Sequence, residues 1–335
     1  MSPQPAGSVL GLGVLDPDLE ASLVAGMASV EVALRDAVRS DYPFVTEASR
    51  HLVEAGGKRF RPLLVLLAAQ FGDPQAPGVV PAAVVVELTH LATLYHDDVM
   101  DEADLRRGAA SANARWDNTV AILTGDFLFA KASDILADLG PEAVRIQART
   151  FERLCTGQIR ETVGPEHGMD PVKHHLQVLS DKTGSLIATS GRFGAMMAGA
   201  DPAVVEIMAE FGEAIGVAFQ LADDLVDITS EAAQSGKTPG TDLREGVPTL
   251  AALIALQSPV GADARLRELL GRPLTQDAEH AEALLLLRSH PAIDEARAEA
   301  RRWASEARML LAGLPAGSPR SALETLCDYV VSRTG

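Results

Sequence analysis

The chain has 335 residues, 47% of them apolar and only 4% aromatic, with a formal net charge of −17. That length and apolar content supply a sizeable core, and the excess of carboxylates excludes a nucleic-acid partner, which needs a broad basic surface. No apolar run reaches the ~20 residues that cross a bilayer, and the N-terminus lacks a signal peptide's basic start and apolar stretch, so a cytoplasmic protein with no transmembrane segment is expected.

Residues 1–16 read as a flexible tail ahead of one all-α domain, 17–335. From Leu19 the pattern is helical: ASLVAGMASVEVALRDAV repeats apolar residues at three-and-four spacing. Gly56-Gly57 breaks the chain, and Pro62 then opens the apolar run LLVLLAAQF, as a first helical turn tolerates proline. DPQAPG is a turn. A long helix is predicted from about Pro81 to Met100 or beyond, with others at 115–138, 141–162, 172–199 (interrupted near Gly184) and 203–229. Ser235–Thr249, rich in Gly and Pro, reads as a connection and a candidate lid. Shorter amphipathic helices follow to Val331. Strand signals are absent.

Two apolar runs end in carboxylates. ELTHLATLY leads into Asp97, Asp98 and Asp101, and a second D-D-x-x-D places Asp223, Asp224 and Asp227 within AFQLADDLVDI. Asp97 and Asp101 share a helix face, where like charges repel by a few tenths of a kcal/mol even in water, and an apolar wall raises that cost. One such cluster reads equally well as a solvated face. Two, each abutting an apolar run, point to a hard divalent cation held by oxygen, Mg²⁺ first among them, which shares its shell with substrate phosphates. Glu87-x-x-His90 has di-iron spacing but no second copy.

The bases lie close by. GGKRFRP puts Lys58, Arg59 and Arg61 between a glycine pair and a helix start, where anions are favoured. Arg106 and Arg107 follow the first cluster; they can pair with Asp101 or Glu102, or bind phosphate in bidentate fashion. His90 lies two turns before Asp97 on nearly the same face.

Taken together, GGKRFRP, HDDVMDEADLRRG, GQIRE, SDKTGSL, AFQLADDLVDI and GKTPGTDLREG resemble the trans-isoprenyl diphosphate synthases, or polyprenyl synthetases, in that family's order, over nearly the whole chain from Glu47. The resemblance implies a helical barrel with a deep central cavity, usually homodimeric, with the two aspartate motifs facing across its mouth. It implies head-to-tail condensation of isopentenyl diphosphate with an allylic diphosphate primer. By the family's pattern Asp97, Asp98, Asp101, Asp223 and Asp227 hold Mg²⁺, three ions per active site. Lys58, Arg61, His90 and Arg107 bind isopentenyl diphosphate. Arg106, Lys182 and Lys237 bind the allylic diphosphate, and Thr183 and Gln220 lie beside the nascent cation. One departure is Val247, where the family often has lysine; no phosphate contact is assigned there.

Thr89, Ala92 and Thr93, one and two turns before Asp97, are small. The family's short-chain members often place aromatics at the one-turn positions, so a product above C20 is expected. Alternatives are a geranylgeranyl or farnesyl diphosphate synthase, a terpene cyclase, and a non-catalytic partner subunit. The scarcity of aromatics and the second D-D-x-x-D disfavour the cyclase, and the intact acidic clusters disfavour the inactive subunit. Cys155 and Cys327 read as buried, His174 and His175 as surface residues, and Tyr95 and His96 as core packing beside the motif.

Overall fold

The computed structural model describes residues 15–230, 239–258 and 263–333. Of the expected tail, 1–14 lie outside this range; Leu15 is buried, and Asp16 caps the first helix. The described residues form two compact units. One takes those within Met1–Phe151, Leu186–Gly212 and Gly313–Leu323; the other takes those within Glu152–Ser185, Glu213–Ala312 and Glu324–Gly335.

In the first unit, α1 (Pro17–Ala37) starts where Pro17 presets the first turn and Asp16 Oδ1 accepts the N–H groups of Asp18 and Leu19, each at 3.2 Å. It is followed by α2 (Pro43–Glu54), α3 (Phe60–Ala69) and α4 (Val79–Met100). Every residue of α3 from Pro62 to Ala69 is buried. Helix α4 is 22 residues long with a mean hydropathy of 1.3 in its most apolar stretch. Contrary to expectation, it is long and apolar enough to cross a membrane by length and composition, although 67% of that stretch is buried in the protein. Its Tyr95 is fully buried; the hydroxyl donates to the Ala48 carbonyl at 2.5 Å and accepts the Leu52 N–H at 3.2 Å, tying α4 to α2.

The chain after α4 holds a two-stranded hairpin, β1 (Leu105–Arg106) with β2 (Ala109–Ala110), where no strand was expected. Its two-residue loop, Arg107-Gly108, has φ of 53° and 79°, the sign pattern of a type I′ turn. The helix expected over 115–138 is split. Ser111 caps the short α5 (Ala112–Arg115), and Asp117 accepts the Val120 N–H at 2.8 Å to start α6 (Asn118–Leu139). Both cap residues are visible in SANARWDN. Helix α6 packs lengthwise on α4.

Helices α7 (Pro141–Val163) and α10 (Pro202–Thr229) contribute residues to both units. Between them lie α8 (Pro171–Leu179), a π-helical turn at Ser180–Gly184, and α9 (Ser185–Met197), so the expected interruption near Gly184 is an inserted residue rather than a break. The Ser235–Thr249 connection contains a short helix, α11 (Thr241–Glu245); its residues 235–238 lie outside the described range. Then come α12 (Leu250–Gln257), α13 (Ala264–Leu270), α14 (Asp277–Arg288), α15 (Ala292–Leu310) and α16 (Ser318–Ser332). Leu225, Leu243, Leu250, Leu269, Leu287 and Ile293 are buried together in the second unit's core, each contributing about 1.5–3 kcal/mol by leaving water.

Candidate functional site

The first acidic cluster closes α4. Asp97 and Asp98 lie in the helix's last turn, and Asp101 is its C-cap. Carboxylates are unfavourable at a helix C-terminus, where the dipole is already negative. The hairpin returns Arg106 to them: its Nε donates to Asp98 Oδ1 at 2.5 Å, and its Nη2 lies 3.8 Å from Asp101 Oδ2. The sequence left open an ion pair of Arg106 with Asp101 or Glu102; the short pair is instead with Asp98, and Asp101 is the more distant partner. Burial pushes the Asp98 carboxyl above its ordinary range; Arg106 pulls it back and Asp101 pushes it further up. Asp98 Oδ2 is buried and, among the described residues, has no hydrogen-bond partner, a state that costs about 1–3 kcal/mol unless a ligand fills it.

The same unit gathers cations around His90. Burial holds His90 well below its ordinary pKa, and Arg61, Arg107, Arg59 and Arg106 each add to the effect. Its imidazole is therefore neutral and ready to donate or accept. Burial pulls Arg61 down to about 10, with Arg107 pushing the same way and Glu87 opposing. Arg61 Nε is buried with no hydrogen-bond partner among the described residues. Arg107 donates Nη1 to the carbonyls of Leu52 (3.0 Å) and Gly56. A Cβ at Gly57, where φ is +135°, would stand 2.8 Å from the Arg107 guanidinium carbon, so only glycine lets the backbone come this close. Arg59 stands apart from the other bases. It is buried and bonded to Glu31 (2.6 Å), Glu87 (2.9 Å) and the Val53 carbonyl (2.8 Å), which also accounts for the lone Glu87-x-x-His90. Lys58 is exposed.

In the second unit, α10 carries the other cluster. Asp224 Oδ1 accepts from Gln220 Nε2 at 2.9 Å, and Gln220 Oε1 accepts from Thr183 Oγ1 at 3.1 Å. The sequence pointed to Thr183 and Gln220; the structure links them in one chain. Burial pushes Asp224 up to about 8, helped by the charges of Asp242, Asp223 and Asp227. Asp242, from α11, was missed in the sequence although it lies in GKTPGTDLREG; only the return of this segment, where the Gly240 N–H donates to the Asp227 carbonyl at 3.0 Å, reveals it. Arg333, also missed, places Nη2 2.6 Å from Asp223 Oδ1 and stacks over Phe219 at 5.1 Å. Lys182 pairs with Glu161. Lys237 lies outside the described residues.

Two expectations need correction. His175 is buried, not on the surface. Its Nε2 lies 4.0 Å from Asp224 Oδ2, and burial pulls its pKa down to about 4. Cys155 is exposed, while Cys327 is buried as expected. Tyr95 packs in the core beside the motif as expected, whereas His96 is half-buried, its Nε2 3.1 Å from the Ile122 carbonyl.

Of the chain-length candidates, Thr89 and Ala92 are fully buried and Thr93 half-buried. Thr89 Oγ1 accepts from Gln147 Nε2 at 2.8 Å, and the Ala92 carbonyl would lie 3.1 Å from a Cβ at Gly125, where α4 and α6 touch.

Among the described residues, no three His, Cys, Asp or Glu side chains converge to enclose a metal ion. Each aspartate cluster is a partial, all-oxygen donor set, and each is strained by its own charge. Such sets fit a hard cation that completes its shell with water and phosphate oxygens.

The sequence model of the polyprenyl synthetase family matches residues 42–287. The nonaprenyl diphosphate synthase of Mycobacterium tuberculosis is 50% identical over 332 residues, covering 99% of each chain. Among solved structures, the geranylgeranyl pyrophosphate synthase of Corynebacterium glutamicum, complexed with calcium and isoprenyl diphosphate, superposes with a TM-score of 0.86 at 46% identity, covering 96% of this chain and 98% of that one. The polyprenyl synthase of Caulobacter crescentus, also complexed with calcium and isoprenyl diphosphate, gives 0.86 at 34% identity, covering 99% and 100%. The helical fold, the paired aspartate motifs and these likenesses agree: the chain is a prenyltransferase and belongs to the polyprenyl synthetase family.

Proposed function

We propose that the chain condenses isopentenyl diphosphate with an allylic diphosphate to make a polyprenyl diphosphate longer than C20, working as a homodimer with Mg²⁺. The observation that carries this reading lies in the first unit. Half-buried Arg61 and Arg107 crowd a neutral His90 with, among the described residues, too little carboxylate to balance them, in the same unit as an aspartate cluster that needs a cation. One array suits a diphosphate, the other a divalent ion. Both are expensive to maintain empty, as sites for absent charged ligands are.

Arg61, His90, Arg107 and Lys58 hold isopentenyl diphosphate. Arg106, Lys182 and Lys237 hold the allylic diphosphate. Asp97, Asp98 and Asp101 hold Mg²⁺, as do Asp223 and Asp227, three ions in all; when bound, Mg²⁺ offsets the charge that builds on the departing diphosphate. Lys182 and Arg106 add to that effect through preset positive charge. Thr183 and Gln220 present oxygen dipoles to the carbon left positive, and the apolar wall keeps water from quenching it. The double bond of isopentenyl diphosphate attacks that carbon, and loss of a proton, to the released diphosphate as base, gives a chain five carbons longer. Ile122 and Leu123, 43% and 60% exposed on α6, offer an apolar strip suited to a second copy.

The product length is supported by the small residues at Thr89, Ala92 and Thr93 and by the nonaprenyl synthase relative. The geranylgeranyl synthase relative favours a C20 product as the second reading. Chromatography of products from labelled isopentenyl diphosphate, a C15 primer and Mg²⁺ decides it. Release of C20 alone would establish the shorter synthase, and no elongation by the purified chain would establish a partner subunit.

A further inference from the structure

Helices α8 and α9 would be one helix but for the π-turn at Ser180–Gly184, where the Ser185 N–H bonds to the Ser180 carbonyl. An inserted residue of this kind is unfavourable by itself and persists where its surroundings hold it. Here the holding groups are charged. Asp181, only 3% exposed, accepts Arg153 Nε at 3.0 Å on Oδ1; on Oδ2 it accepts Arg160 Nη1 and, at 3.1 Å, Gln177 Nε2. The rest of the Arg153 guanidinium forks onto Glu213, Nη1–Oε2 2.9 Å and Nη2–Oε1 2.5 Å, and reaches Ser180 Oγ at 2.9 Å. Ser180 Oγ in turn donates to Glu213 Oε1 at 2.5 Å. A Cβ at Gly157 would lie 2.8 Å from the Asp181 Cβ and 3.1 Å from the Lys182 nitrogen, so α7 presses its backbone directly on the turn.

The turn sends three successive side chains to three different places. Asp181 goes into the arginine clamp, Lys182 toward Glu161, and Thr183 to Gln220. If the turn relaxed by one residue, Lys182 would rotate by roughly 100° about the helix axis. Misplacement of ~1 Å can already cost about a hundredfold in rate.

We propose that Arg153, Asp181 and Glu213 are positioning residues: they lock the π-turn so that Lys182 meets the allylic diphosphate and Thr183 stays beside the reacting carbon. This rests on the roles proposed above for Lys182 and Thr183. A purely structural ion-pair network would lower stability without choosing between substrates. A positioning network acts on one substrate only, because the residues assigned to isopentenyl diphosphate lie on other elements.

The test uses full-length Arg153→Gln and Glu213→Gln, the second nearly isosteric and retained if the first fails to fold. Each substrate is varied separately in steady state, and hydrogen exchange is followed by mass spectrometry across 176–188. The expected result is a loss of about tenfold or more in kcat/KM for the allylic diphosphate, with KM for isopentenyl diphosphate within about twofold of the parent, and faster exchange at the turn. Equal loss toward both substrates, or faster exchange with unchanged allylic kinetics, overturns the proposal. Unchanged exchange in both variants overturns it as well. Absence of prenyl transfer by the unaltered chain would instead strike the proposed function, while exchange still reports on the clamp.

Discussion

Arg59 Nη1 donates to Glu87 Oε1 at 2.9 Å, and neither side chain is more than 6% exposed. The pair turns one base of GGKRFRP into a structural element and leaves Arg61, two residues on, without an ion-pair carboxylate of its own among the described residues. Arg59→Gln strands a buried Glu87 and is expected to cost about 3–5 kcal/mol of stability. Arg61→Gln removes a half-buried cation crowded by Arg107 and is expected to leave stability unchanged or raised, while KM for isopentenyl diphosphate rises about tenfold or more. Urea unfolding and steady-state kinetics on both variants check this; equal destabilisation by the two would contradict it.

Asp97→Asn and Asp223→Asn each remove a charge from a proposed metal site. Chain extension should fall by about a hundredfold or more, and calorimetry should show weaker Mg²⁺ binding in the presence of diphosphate. Unaltered speed and metal requirement in both variants would refute the assignment of these aspartates.

Thr93→Phe, at a half-buried position one turn before Asp97, is expected to shift the product distribution toward shorter chains. Ala92→Phe should do the same but also lose about 1–3 kcal/mol, because Ala92 is fully buried beside Gly125. Chromatography of labelled products decides the first part and thermal unfolding the second.

His175 gives a pH signature. Its folded pKa is about 4, below the ordinary value of 6.5. The unfolded chain therefore binds the extra proton first, and the stability His175 contributes above pH 6.5 is lost as pH falls toward 4. His90 is shifted in the same direction, by burial and the arginines around it. Across that window His175→Gln should flatten the pH dependence of unfolding by about 1–3 kcal/mol. A slope identical to the parent's would show that His175 is not buried neutral in solution.

Periodicity made the long helices legible, because α4 and α10 show their apolar faces and stops in the sequence alone. The acidic clusters were legible because like charges do not collect beside apolar runs without cause. Asp242 and Arg333 were not, since nothing local says that a connection and the final helix return to α10. His175 looked like a surface residue because two adjacent histidines in a polar stretch carry no sign of which one faces inward. The Arg107-Gly108 turn was overlooked because I′ hairpins are announced by Asn-Gly or Asp-Gly, and here an arginine occupies the first place.

That arginine has an evolutionary cost. Position 107 holds a left-handed backbone that asparagine or glycine adopts more easily, while its guanidinium completes the basic array around His90. A search for hardier variants would be drawn to replace it and would gain a firmer loop at the expense of the anchor proposed for isopentenyl diphosphate. Fitness and robustness thus pull against each other at a single codon.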